Sequence, residues 1–207
     1  MHWYIIVSIA ALIVCLSSCL YHFTRLIRMG RPGDFSRKTG NINRAVRYSF
    51  TGAMSPGKKE SAFLHLPTYT AGLVYHSGTF LAIILFFFLL AGFDAGTAAT
   101  YVFSAVLLAG ALSGTGILIK RMVISKLRNL SCADDYISNI LVTAFQYISI
   151  LELTGLVPGP VYYMTASLLL LYVPLGKLRH LVYFFAARYH LGFFYGWRNA
   201  WPPSKNY

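Results

Sequence analysis

Residues 66–91 read LPTYTAGLVYHSGTFLAIILFFFLLA and contain no Lys, Arg, Asp or Glu. A helix needs roughly 20 mostly apolar residues to cross the hydrocarbon of a bilayer, and this run supplies them. Four more stretches do the same: 3–21, 98–119, 137–157 and 161–187. No segment between them is large enough to build a soluble core. The composition agrees: 57% of the 207 residues are hydrophobic and 12% charged, where soluble domains run near 25% charged. The sequence predicts an all-α membrane protein of five transmembrane helices, a single domain over residues 1–207.

The formal charge is +12, from 18 Lys and Arg against 6 Asp and Glu. Every one of those bases falls in the loop 24–60, in the loop 120–136, or in the C-terminal part from Lys177 onward. With five spans these segments share one side, and the positive-inside rule makes that side cytoplasmic. The N-terminus is then outside and the C-terminus cytoplasmic. Orientation in a membrane accounts for the basic balance, so no nucleic-acid partner is expected. The loop 24–60 is long for so small a protein, which suggests a task of its own. Contact with a partner subunit is one; attachment to anionic lipid headgroups is the other. The tail 188–207 carries Phe193, Phe194, Tyr195, Trp197 and Trp201, a set that suits an interface core or a membrane-interface belt.

Leu16-Ser17-Ser18-Cys19 has the look of a lipoprotein cleavage box. The positive charge a signal peptide carries at its start is missing from Met1-His2-Trp3-Tyr4. Arg25 and Arg28 follow the apolar run as a stop, so the first stretch is read as a retained span. Cys15, Cys19 and Cys132 form no disulfide framework and no iron–sulfur motif.

Ionisable side chains in or beside spans are costly and usually functional. Four of the six histidines lie in two spans: His65 and His76 in the second, His180 and His190 in the fifth. At 1.5 Å per residue their intervals of eleven and ten residues are about 16.5 and about 15 Å. The two helices run antiparallel. His65 is therefore expected to meet His190 near the cytoplasmic surface, and His76 to meet His180 deeper in. Each pair can hold one flat macrocycle between two imidazoles, the ligation of a b-type haem. Zinc would be underligated by two histidines without a nearby acid or thiolate. Interfacial histidines without a cofactor are the plain alternative. Eleven residues return to nearly the same helix face, whereas ten miss it by about 80°, and Pro174 with Gly176 could supply the bend. Gly72 and Gly78 flank His76 and would let a ring approach the backbone, or simply let helices pack. Lys177, Arg179, Arg188 and Arg121 are candidate partners for haem propionates, or cytoplasmic-side anchors. For a quinone site the weak candidates are Glu152, the one acid within a span, and His22 at the inner end of the first.

The segments from Phe63-Leu64-His65 to Tyr75-His76 and from Lys177-Leu178-Arg179-His180 to His190 resemble the dihaem cytochrome b of nitrate reductase gamma subunits. The closer resemblance is to membrane subunits of the heterodisulfide-reductase type, including those of sulfite-reductase-linked and quinone-interacting membrane complexes of sulfur-metabolising prokaryotes. Lys58-Lys59-Glu60-Ser61-Ala62 and Asp134-Asp135-Tyr136-Ile137-Ser138-Asn139 share that character. The resemblance covers nearly the whole chain. It implies five helices in a prokaryotic cytoplasmic (inner) membrane, with two stacked b haems between helices 2 and 5. It also implies electron exchange between a quinone-type carrier and a cytoplasmic iron–sulfur subunit. The histidines of the last helix stand closer together than in nitrate reductase gamma subunits, which favours the heterodisulfide-reductase-like branch. Such a subunit is not a complete enzyme, because it has no site for a terminal substrate. The alternatives are a cofactor-free membrane anchor or transporter-like protein, and a cytochrome b of another oxidoreductase such as a hydrogenase or formate dehydrogenase.

Overall fold

In the computed structural model, residues 2–29, 35–58 and 64–203 are described, and among them the chain is helical without a strand. The long helices are α1 (Trp3–Met29), α3 (Leu66–Leu90), α4 (Thr97–Val123) and α6 (Ala133–Leu153), with shorter α2 (Ile42–Phe50), α5 (Ser125–Asn129), α7 (Gly159–Tyr172) and α8 (His180–Trp197). α1, α3, α4 and α6 are each long and apolar enough to cross a membrane, and α7 with the segment Lys177–Trp197 makes a fifth if taken as one broken span. Hydropathy therefore located the spans well. α3 and α6 end alike, on a glycine of positive φ, Gly92 at 79° and Gly155 at 69°. The N–H of Phe93 returns to the carbonyl of Phe88 and that of Leu156 to Leu151, so the last carbonyls find partners before the chain turns.

The fifth stretch, expected over 161–187 with a bend near Pro174 and Gly176, is broken there into two helices. α7 stops at Tyr172, residues 173–176 turn, and a single 3₁₀ turn at Lys177–Arg179 leads into α8. Pro174 cannot donate to a helical ladder and disfavours helix in the residue before it. Gly176 is held tightly, since an added Cβ would stand 2.4 Å from the Tyr172 ring and 2.8 Å from Asp134 Oδ1. The loop 24–60 also departs from expectation. It contains α2, and the tail from residue 188 begins as helix. Arg31, residues 59–63 and Lys205, which figure in the charge pattern and the resemblance, lie outside the described residues.

The chain forms two compact units, Met1–Leu16 with Pro67–Leu178, and Ser17–Leu66 with Arg179–Tyr207. In the first unit α3 and α4 cross at Gly78 and Gly110, so close that a Cβ on Gly110 would stand 2.9 Å from the Gly78 Cα. Small residues at the crossing are what lets two apolar helices make close van der Waals contact where no hydrophobic drive operates. Gln146 of α6, fully buried, lies over this crossing. Its Nε2 donates to Thr79 Oγ1 at 2.9 Å and to the Tyr75 carbonyl at 3.4 Å. Phe86, Leu107, Phe145 and Tyr162 fill the core beyond it.

In the second unit α2 lies antiparallel on α8. Its apolar positions Ile42, Ala45 and Val46 face Gly192 and Gly196, and a Cβ at Gly192 would come within 2.5 Å of the Val46 Cα. Ser49 closes the other end by donating to the Arg188 carbonyl at 2.7 Å. The Trp197 indole donates to the Ser36 carbonyl at 2.8 Å, and the Thr39 N–H to the Trp197 carbonyl at 2.9 Å.

Candidate functional site

The four histidines stand at or within two helices. His65 immediately precedes α3 and is exposed; His76 lies within α3 and is also exposed. The His76 ring packs beside Phe80, centroids 6.4 Å apart and planes 30° apart. His180 is the first residue of α8 and exposed, and His190 is half-buried ten residues farther along the same helix. His190 Nε2 lies 3.2 Å from the carbonyl oxygen of Leu26 on α1. His22 is half-buried on α1, its ring edge-on to Tyr21 at 5.6 Å.

The two glycines near His76 differ. Gly78 belongs to the crossing with α4, where Gln146 Oε1 and the Gly110 backbone exclude any side chain. Gly72, one turn before His76, has nothing within 4 Å of where a Cβ would be. Of these two glycines, Gly72 is the one that leaves open space against the backbone. The ten-residue interval from His180 to His190 is preserved inside α8. The turn at 173–176 precedes His180 and leaves that interval intact.

The four cations separate into two groups. Arg121 Nη1 lies 3.1 Å from Asp135 Oδ1, and Lys177 donates to the same carboxylate. Asp135, whose side chain is 5% exposed, also accepts the Cys132 N–H at 3.0 Å and so closes the first turn of α6. Next to it, Asp134 accepts the Tyr172 hydroxyl. Two adjacent aspartates thus hold the end of α4 and both sides of the break after α7. The signal in the sequence is the pair of adjacent acids at the mouth of an apolar span. Arg179 and Arg188 instead lie over aromatic faces, the guanidinium 5.9 Å from the Tyr183 centroid and 5.7 Å from that of Phe184. Glu152 is half-buried in the last turn of α6, its Oε2 buried and without a hydrogen-bond partner.

These residues fit a b-type haem in part. Exposed imidazoles at matched intervals and the open face at Gly72 suit a flat ring. His190 would have to ligate through Nδ1 or give up its bond to Leu26, since one ring nitrogen's hydrogen bond sets the role of the other. Of the four propionate candidates, Arg179 and Arg188 have no carboxylate partner among the described residues, whereas Arg121 and Lys177 compensate Asp135.

The chain matches no protein-family profile, no curated protein and no solved structure.

Proposed function

We propose that the chain is a membrane electron-transfer subunit binding two b-type haems and passing electrons between a quinone-type lipid carrier and a cytoplasmic iron–sulfur subunit. The observation that carries this reading is the placement of two histidines eleven residues apart at and within α3 and two more ten residues apart in α8. Haem b, when bound, supplies reversible one-electron exchange. The chain's own residues would do the rest. His65, His76, His180 and His190 offer imidazole nitrogens, paired as His65 with His190 and His76 with His180. Gly72 keeps one side of α3 open. Arg179 and Arg188 bring positive charge toward carboxylates. The apolar helices exclude water. The basic segments 24–60, 120–136 and the C-terminal part mark the cytoplasmic face of a prokaryotic inner membrane. Glu152 and His22 stay as candidates for the carrier site.

Two observations favour a second reading, a cofactor-free membrane anchor: the His190–Leu26 hydrogen bond, and the pairing of Arg121 and Lys177 with Asp135. Reduced-minus-oxidised absorption spectra of the purified chain and its histidine variants separate the two. Under the haem reading, His65→Ala and His190→Ala each remove one and the same α-band component, and His76→Ala and His180→Ala remove the other. If His65→Ala and His76→Ala abolish the same component, the pairing is wrong. If no variant changes a visible band because none is present, the anchor reading stands.

A further inference from the structure

We infer that Glu152 and the Tyr162 hydroxyl form a proton-binding site where the end of α6 meets the start of α7. This deepens the candidacy of Glu152 for a carrier site. It rests on the membrane-spanning part of the reading above and not on the haems.

Position and burial set the site. Glu152 stands in the last turn of α6, about 25 Å along the helix axis from Asp135 at the other end. The Lys and Arg residues of the first unit lie in 120–128 and at Lys177, around the start of α6. Residues 1–24, 66–119 and 129–176 contain none, so that unit offers Glu152 no Lys or Arg at its own end. Glu152 Oε2 is buried and has no hydrogen-bond partner among the described residues. Tyr162, in the first turn of α7, is fully buried, and its hydroxyl is likewise outside any hydrogen bond of normal geometry. That hydroxyl lies beside Ser149, whose own proton goes to the Phe145 carbonyl at 2.7 Å. Tyr162 and Tyr163 are both within electrostatic reach of the Glu152 carboxyl.

A carboxylate persists in apolar surroundings only with a cation or donors to satisfy it, and without them the group holds its proton instead. The groups facing Glu152 bring no positive charge from the helices around it. α7 presents Tyr162 and Tyr163. Behind Tyr163, Tyr4 of α1 stacks at 5.5 Å, and the exposed His2 stacks on Tyr4 at 5.1 Å. α3 presents Phe86, its ring 6.5 Å from that of Tyr162. α4 has no charged residue from Thr97 to Ile119, and its one ionisable side chain there is the exposed Tyr101. Phe145 stacks on Tyr162 at 5.7 Å and fixes its ring. A phenolic hydroxyl donates to a carboxylate and accepts from a carboxylic acid, so Tyr162 can serve both forms of its neighbour. An acid without a counter-cation, beside a hydroxyl of that kind and inside an apolar shell, has the chemistry to take up and release one proton.

The test uses the full chain in membranes and dicyclohexylcarbodiimide, which enters apolar surroundings and reacts with a protonated carboxyl. After labelling over a series of pH values, peptide mass mapping should find the adduct on Glu152. It should find none on Asp94, which is exposed between α3 and α4. Labelling should be lost as pH rises, because the ionised form does not react. A water-soluble carbodiimide should show the reverse preference, for Asp94 over Glu152. Glu152→Gln should remove the adduct. Tyr162→Phe keeps the ring and deletes a donor to the ionised form, so it should shift the loss of labelling to higher pH. Absence of the Glu152 adduct in the wild type overturns the proposal. So does equal labelling of Glu152 and Asp94 by the water-soluble reagent, or an unchanged pH profile in Tyr162→Phe. Failure of the wild-type chain to fractionate with membranes would instead overturn the spanning reading beneath it.

Discussion

A carboxylate at the mouth of an apolar helix needs compensation to stay there. Asp135 receives it from Arg121 and Lys177 at once, and from the Cys132 backbone. Asp135→Asn would keep the side-chain shape and the capping contact while removing the negative charge that both cations face. Both cations are partly exposed, at 31% and 55% of their side chains, so solvent softens the effect. The expected loss is about 1 to 3 kcal/mol of stability, read as a lower unfolding midpoint in detergent, with any haem retained. An unchanged midpoint would mean the ion pairs contribute nothing, and Arg121 and Lys177 would return as propionate partners. The histidine intervals are legible in the sequence because each is counted along one stretch of chain. Asp135 and Gln146 were not, because their meaning lies in partners from helices far away in the chain. Gln146 in particular gives no sign, within its own helix, of the Gly78–Gly110 crossing beneath it.

Among the elements, α2 is the one the sequence concealed. Its positions Ile42, Ala45, Val46 and Ser49 follow the i, i+3, i+4, i+7 spacing of a helix with one buried face. Arg44 and Arg47 interleave with them, so charge masks the pattern. Gly192 and Gly196, four residues apart on α8, were equally visible as a small-residue face. Gly192→Leu would press a branched side chain into the Val46 backbone and cost about 1 to 3 kcal/mol. It should also free α2, so that trypsin cuts after Arg44 and Arg47 much faster than in the wild type. Equal cleavage of the two proteins would show that α2 is not held there. The break after α7 was only half legible. Pro174 and Gly176 suggested a bend, but the side chains that fix the turn, Asp134 on Tyr172 and Asp135 on Lys177, come from the start of α6.

At the scale of the whole molecule, hydropathy placed the spans because a bilayer tolerates few other ways to bury so much apolar surface. Orientation is a separate claim, and Cys132 tests it. It is exposed in the connection that precedes α6, whereas Cys15 is buried within α1. A membrane-impermeant maleimide should label Cys132 in inverted vesicles and leave it untouched in right-side-out ones; the opposite pattern would invert the topology and place every basic segment outside. The central claim concerns what the four histidines hold. A pyridine haemochrome assay on the purified chain, scaled to protein by amino-acid analysis, decides it most directly. The account predicts close to two b haems per chain, and a value near zero would contradict it.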